Sequence, residues 1–200
     1  MSYCGGMSNQ PAHANEKQPT IILTTPRLIL RTAIDKDIPV MHARIFGDSE
    51  VMRYVFQGGA MTEERAASVM RRFFAFGDSL TGIAILAEKT AENIIGFAGL
   101  FSCQVLGADD FEIGFVLARS AWGRGIATEI GEAQLAFGFE KLKLGRLLGL
   151  ADPRNQPSIR ALQKLGFRYL KDAAEPGRAL RSVFCIESEH WREHRRVKRA

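Results

Sequence analysis

Trp122-Gly123-Arg124-Gly125-Ile126-Ala127-Thr128-Glu129 decides how this chain is read. It lies between an alternating apolar run ending at Leu117 and a stretch from Gly125 to Lys141. In that stretch Ile126, Ile130, Ala133 and Phe137 recur at steps of four, three and four, the period of an amphipathic helix. A glycine turn between strand and helix lets backbone N–H groups approach a ligand, and the helix N-terminus adds partial positive charge. Such a turn suits a diphosphate or similar anion, with Arg124 adding a full charge. It is also common as a turn and nothing more, so the flanking segments have to carry the reading.

Upstream, Thr81 to Glu88, Ile94 to Phe101 and Phe111 to Leu117 read as three strands at hairpin spacing, an antiparallel meander. The third places Phe111, Ile113, Phe115 and Leu117 on one face and Glu112, Gly114 and Val116 on the other, setting a carboxylate beside a glycine. Leu28-Ile29-Leu30-Arg31 reads as the first strand. Asp35 to Phe46 and Thr62 to Phe76 read as helices, the second with an apolar stripe of Ala66, Val69, Met70, Phe73 and Phe74 and a capping Thr62. Residues 47 to 60, with Gly58-Gly59, read as a mobile connection.

Downstream, Arg146 to Ala151 reads as a strand and Gln156 to Leu165 as a helix stopped by Gly166. Phe167 to Leu170 and Ser182 to Glu187 are the closing strands. A β-α-β crossover following a meander predicts one α/β (α+β) domain with a mixed, mostly antiparallel central sheet flanked by helices.

Size and composition agree with that class. The 200 residues are 46% hydrophobic and 24% charged, with a mean hydropathy of -0.08, as in a soluble globular domain that buries roughly 70% of its unfolded surface. The longest apolar runs, Ile83 to Ala87 and Ile94 to Phe101, fall far short of the roughly 18 residues a spanning helix needs, so no membrane partner is expected. Arg192, Arg195, Arg196, Lys198 and Arg199 against Glu193 account for +4 of the +5 net charge. A charge so localised reads as a solvated, frayed tail, and nucleic-acid binding is not expected from it.

Cys4, Cys103 and Cys185 are odd in number and widely spaced, which fits a reducing, cytoplasmic setting and neither a disulfide framework nor a zinc knuckle. Residues 1–20 are polar and aperiodic, a flexible leader without a secretory signal, followed by a domain over 21–191 and a basic tail over 192–200. His190-Trp191-Arg192-Glu193-His194 fits the pattern of inverted zinc peptidases, but no downstream carboxylate ligand follows. A terminal helix with exposed histidines is the better reading, and no metal is expected.

Two further segments complete the pattern: Asp152-Pro153-Arg154-Asn155-Gln156-Pro157-Ser158 after the crossover strand, and Lys164-Leu165-Gly166-Phe167 at the end of the next helix. With these, the chain resembles the GNAT superfamily of acetyl-CoA-dependent N-acyltransferases over roughly residues 24 to 191. It looks most like the RimJ/RimL-like branch of ribosomal-protein-alanine N-acetyltransferases. Arg27-Leu28-Ile29-Leu30-Arg31 and Phe111-Glu112-Ile113-Gly114-Phe115 are similar to that branch as well.

The resemblance implies a V-shaped opening between the strands ending at Leu117 and Ala151, with acetyl-CoA in the gap. Trp122, Gly123, Arg124, Gly125, Ile126, Ala127 and Thr128 would surround the diphosphate, with Trp122 standing where the family usually has Gln or Arg. Main-chain groups of Phe115, Val116 and Leu117 would pair with the pantetheine arm as an added strand does, and the Val116 N–H would polarise the thioester. Asn155 matches a cofactor-contacting asparagine and Ser158 a polar position near the thiol, although both residue types also cap helices. Glu112 matches the carboxylate that deprotonates the amine, or is a solvent-facing strand residue.

Leu162 stands where many members carry a tyrosine acid, which leaves Ser158, or a water it positions, to protonate the departing thiolate. A coenzyme A thiol with a pKa of about 8.5 to 10 needs no strong acid. No covalent intermediate is implied, because Cys103 has no neighbouring histidine. The acceptor amine, a protein N-terminus or a small molecule, would be selected by Asp48 to Phe76 on a monomer or homodimer. Competing readings are a dinucleotide-dependent protein, whose fingerprint is broken by Thr128 at the third glycine, and a non-catalytic acyl-CoA or nucleotide-binding module.

Overall fold

The computed structural model describes residues 18–56, 58–90, 93–174 and 180–199, with side chains as far as residue 196. Residues 1–17 of the predicted leader and the last side chains of the basic tail therefore lie outside the described residues.

Eight strands form one sheet: β1 Ile21–Thr24, β2 Leu28–Arg31, β3 Gly82–Glu88, β4 Asn93–Cys103, β5 Asp110–Leu117, β6 Arg146–Ala151, β7 Arg168–Ala173 and β8 Arg181–Glu187. Their spatial order is β1-β2-β3-β4-β5-β6-β8-β7. Each neighbouring pair is antiparallel except β5 and β6, which run parallel. A parallel pair needs a crossover, and α3 Ile126–Ala136 supplies it, continuing as a π-helical turn to Lys141.

On one face of the sheet lie α1 Asp37–Met41, which runs on as a π-helical turn to Phe46, and α2 Glu63–Phe73. They press Met41, Ile45, Phe46, Met70 and Phe74 onto Ile85 and Phe97. On the other face α3, α4 Gln156–Lys164 and α5 Ser188–Arg199 press Leu135, Leu162, Leu165 and Trp191 onto Leu100, Ile113, Leu147 and Phe184. Each such side chain contributes roughly 1.5–3 kcal/mol by leaving water, so these two layers hold the sheet. The exposed edge strand β7 adds little.

The predicted class and most predicted elements match this arrangement, with local differences. Strand β1 precedes the run taken as the first strand, because the chain turns back at Thr25 and Pro26 and pairs Ile21 with Arg31. Residues 47–60 are more than a connection: Val51–Tyr54 form a 3-10 turn with Val51 and Met52 buried against Phe46. The predicted exposure of the terminal histidines is corrected. Trp191 anchors α5 in the core against Phe139, at 5.2 Å between ring centroids, which leaves His190 and His194 half-buried, His194 against Gly166. The basic run continues along α5, where Arg195 pairs with Glu140 at 2.5 Å.

Candidate functional site

β5 and β6 part soon after they meet. Eight and six residues long, they pair only at Glu112 opposite Leu148, and beyond that point the two strands splay. On its other side β5 pairs continuously with β4, from Asp110 opposite Cys103 to Leu117 opposite Gly96. The Ala118 N–H donates to the Ile95 carbonyl at 2.8 Å in that same register. Hydrogen-bonded pairs alternate along an antiparallel ladder, so the even-numbered residues of β5 turn their main-chain groups to β4 and the odd-numbered ones toward the splay.

In this register the Val116 N–H, expected to polarise the thioester, belongs to the β4 ladder. The Val116 carbonyl lies hard against Gly96 on the same side. Phe115 and Leu117 are the residues of the open edge. The Leu117 carbonyl is already engaged by the Trp122 indole N–H at 2.8 Å, so Trp122 ties the loop back to the strand it leaves.

After β5 the chain makes a 3-10 turn at Arg119–Ala121 and enters α3 through Gly123 and Gly125. Their φ values of 70° and 75° lie in the left-handed region that L side chains disfavour. A Cβ at Gly123 would meet nothing within 4 Å, and α3 has no side-chain cap. The first-turn N–H groups of Ile126, Ala127 and Thr128 therefore face outward beside the splay.

A latch that the sequence reading did not identify holds this loop. Glu129, in the first turn of α3, accepts from Thr25 Oγ1 at 2.5 Å, from the Arg27 N–H at 3.1 Å and from Arg27 Nε at 2.5 Å. Burial pushes the Glu129 carboxyl up, and these hydrogen bonds outweigh it and hold it below its ordinary value. Arg27 Nη1 also donates to the Arg124 carbonyl at 3.0 Å. Because a peptide unit is planar and trans, pinning that carbonyl turns the Gly125 N–H the opposite way. Arg124 itself pairs with Glu88 at 2.5 Å, which holds the Glu88 carboxyl low. Arg27 and Glu129 stand 102 positions apart, and nothing in either motif signals that they pair.

Across the splay, α4 begins where β6 ends. Asp152, buried, receives bidentate hydrogen bonds from Arg154 at 2.9 and 2.8 Å, which lower its pKa from 3.8 to about 2. Asn155 Oδ1 accepts the Ser158 N–H at 3.3 Å and caps the helix. Ser158 is half-buried on that first turn. Leu162 packs into β6 so closely that a Cβ at Gly149 would lie 2.5 Å from its Cδ2, which makes it part of the core.

Glu112 is half-buried on the α1/α2 face of β5, the face it shares with Val116. Cys103 sits opposite Asp110 at the far end of β5, away from the glycine loop. A cavity of about 340 Å³ lies at that far end too, lined by Asp110, Phe111, Arg146 and Glu187. We do not assign it the chemistry, because the open strand edge, the uncapped helix and the glycines are all at the opposite end of β5. Among the described residues no group of three His, Cys, Asp or Glu side chains could hold a metal ion, and no helix is long and apolar enough to cross a membrane.

Comparison with known proteins bears on this geometry. Residues 27–168 match the family described as the acetyltransferase (GNAT) domain. The chain is 32% identical over 151 residues to the uncharacterized protein YkkB of Bacillus subtilis, covering 74% of this chain and 86% of that one. It is 30% identical over 146 residues to the uncharacterized N-acetyltransferase YnaD of the same organism, covering 73% and 82%. Among solved structures, a GNAT-family acetyltransferase from Bacillus anthracis superposes with a TM-score of 0.71 at 25% identity, covering 84% of this chain and 98% of that one.

Two more distant structures share the fold alone. Spermidine N-acetyltransferase from Vibrio cholerae, in complex with CoA and spermine, has a TM-score of 0.66 at 16% identity and covers 84% of this chain and 99% of its own. RimL, a ribosomal L7/L12 alpha-N-protein acetyltransferase in complex with coenzyme A, has a TM-score of 0.65 at 14% identity and covers 84% and 98%.

Proposed function

Because this chain belongs to the GNAT acetyltransferase family and is an N-acetyltransferase, we propose that it takes acetyl-CoA into the splay between β5 and β6 and transfers the acetyl group directly to a primary amine. The observation that carries the reading is the pairing of β5 and β6 breaking off after Glu112 and Leu148 beside the uncapped turn of α3. A pantetheine arm has amide groups that fit such an open edge as an added strand, and a diphosphate fits the outward N–H groups at Gly125 to Thr128.

The residues divide the work by position. The latch from Arg27 and Glu129 keeps the Gly125 N–H turned outward, and Arg124 reaches a diphosphate by exchanging Glu88 for it. The Phe115 N–H, on the open edge, polarises the thioester carbonyl, the role first expected of Val116. Glu112 accepts the proton of the incoming ammonium, directly or through one water. Ser158, beside the capped start of α4, donates toward the departing sulfur. Asn155 has its oxygen in the cap, so its contact with the pantetheine arm comes from Nδ2. Leu162 takes no part in proton transfer and forms the wall.

The acceptor is a protein N-terminal α-amine or the amine of a small molecule, entering on the Glu112 face past residues 48–76. Calorimetric titration with acetyl-CoA, alongside coenzyme A, NADH and ATP, tests the reading. Micromolar binding confined to the two coenzyme A ligands supports it, and a preference for NADH or ATP, or no binding, refutes it.

A further inference from the structure

One segment of chain crosses the mouth of the splay. At its start Asp48 and Glu50 pair with Arg119, the second residue after β5, at 2.7 and 3.3 Å. At its end Tyr54 is held by residues beside β6: its carbonyl accepts from Arg181 Nη1 at 3.0 Å, and the Arg154 guanidinium lies 5.8 Å from its ring centroid. Arg181 begins β8 next to the end of β6, and Arg154 immediately precedes Asn155, four residues before Ser158. The strap thus joins the two strands that part, on the face that carries Glu112.

Among the described residues, its charge is one-sided at the β6 end. Arg53 lies 5.3 Å from the Tyr54 centroid, so three guanidinium groups gather about a single residue. Asp152 is the carboxylate in their midst, and Arg154 already holds it through both oxygens. Asp48 and Glu50 are engaged with Arg119, and Asp172, across β8, takes the Ser182 hydroxyl at 2.7 Å. Among the described residues, Arg53 is placed by the ring of Tyr54 and Arg181 by its carbonyl, with Arg181 also near enough to Asp152 to help hold that carboxyl low. A polycation entering past Tyr54 would meet like charge. A planar anion would meet guanidinium groups, whose forks match carboxylate geometry and which are weakly hydrated.

Resting on the acetyltransferase reading above, we propose that the acceptor is an amine bearing an anionic group, a carboxylate by preference, that docks at Arg53 and Arg181 while its amine reaches Glu112. A free amino acid and a peptide with an acidic residue near its N-terminus share this chemistry. Polyamines do not.

The test measures thiol release from acetyl-CoA with matched acceptors: amino acids against their amides, peptides with Asp or Glu at the second position against Asn or Gln, and spermidine. The acid is favoured over its amide by at least roughly tenfold in kcat/KM, the size of one charge-assisted hydrogen bond. The pair showing the larger ratio identifies a free amino acid or a peptide as the source. R53Q and R181Q each bring that ratio toward one while the acetyl-CoA dissociation constant stays within twofold of wild type. R53Q is the decisive variant, because Arg53 is exposed and holds no backbone group, whereas R181Q also removes a bond to the strap. Equal use of acid and amide, or a preference for spermidine, with acetyl-CoA binding intact, overturns this inference alone. Weakened acetyl-CoA binding in R53Q overturns it by placing the arginines at a coenzyme A phosphate. Failure of the wild type to bind acetyl-CoA removes the underlying reading as well.

Discussion

Replacing Gly125 separates backbone strain from contact with a ligand, because Gly123 provides a control two residues away. Both residues have φ near +70°, where an L side chain costs about 1–2 kcal/mol. Part of this is offset by about 0.4–1 kcal/mol of lost freedom in the unfolded chain, leaving a net cost near 1 kcal/mol. For a chain of this length that lowers Tm by about 2–4 °C. Within the protein the two sites are nearly equivalent: a Cβ at Gly125 comes no closer than 3.7 Å, to Arg27 Nη2, and one at Gly123 has nothing within 4 Å.

Gly123→Ala and Gly125→Ala are therefore expected to melt at nearly the same temperature. They separate in calorimetry if the diphosphate sits on the start of α3. A side chain at Gly125 then stands over the N–H groups of the first turn, and Gly125→Val weakens acetyl-CoA binding by at least tenfold, about 1.4 kcal/mol. A folded Gly125→Val protein that binds acetyl-CoA within twofold of wild type would refute this placement of the diphosphate.

Glu112→Gln is expected to lower turnover at neutral pH by about a hundredfold or more while acetyl-CoA affinity holds, and unchanged turnover across the pH range removes Glu112 from the mechanism. Asp152 has a pKa of about 2 when folded against an ordinary 3.8, so the stability it contributes is present above pH 4 and lost as pH falls toward 2. With Arg154 largely exposed, that contribution is discounted to about 1 kcal/mol. Thermal melts of Asp152→Asn should fall below wild type at pH 7 and converge with it near pH 2; a constant gap would rule out the ionic origin. Gly149→Ala should cost about 1–3 kcal/mol by overpacking Leu162, with Leu162→Val recovering part of it in the double variant, and additive losses in denaturant melts would count against the contact.

The legible parts of the fold were those written in local period. The stripe of α2, the alternation of β5 and the four-three-four spacing of α3 each report the side of a helix or strand that faces the core; Ala66, Met70 and Phe74 of α2, Ile113 and Leu117 of β5 and Ile126 and Ile130 of α3 are buried there, while Phe73, at the end of α2, is exposed. Strand β1 was missed because Ile21–Thr24 is too short to show alternation and becomes a strand only by pairing with β2. The 3-10 turn at Val51–Tyr54 was missed for a related reason: a single turn has no repeat, and Val51 and Met52 are ordered by the cluster around Phe46.

The meander, the crossover helix, the glycine entry to α3 and the family resemblance can all be read along the chain, because periodicity, glycine chemistry and motif spacing are local properties. Tertiary structure decided three other matters. Side-chain alternation says which face Glu112 and Val116 share, but main-chain direction follows from hydrogen-bond pairing with β4, and that register turns Phe115, and not Val116, toward the splay. The latch between Arg27 and Glu129 spans 102 positions, and the bond from Arg181 to the Tyr54 carbonyl spans 127. Nothing in either neighbourhood of sequence encodes such a pairing; folding the sheet brings the two ends within reach, and their charges and lone pairs then do the rest.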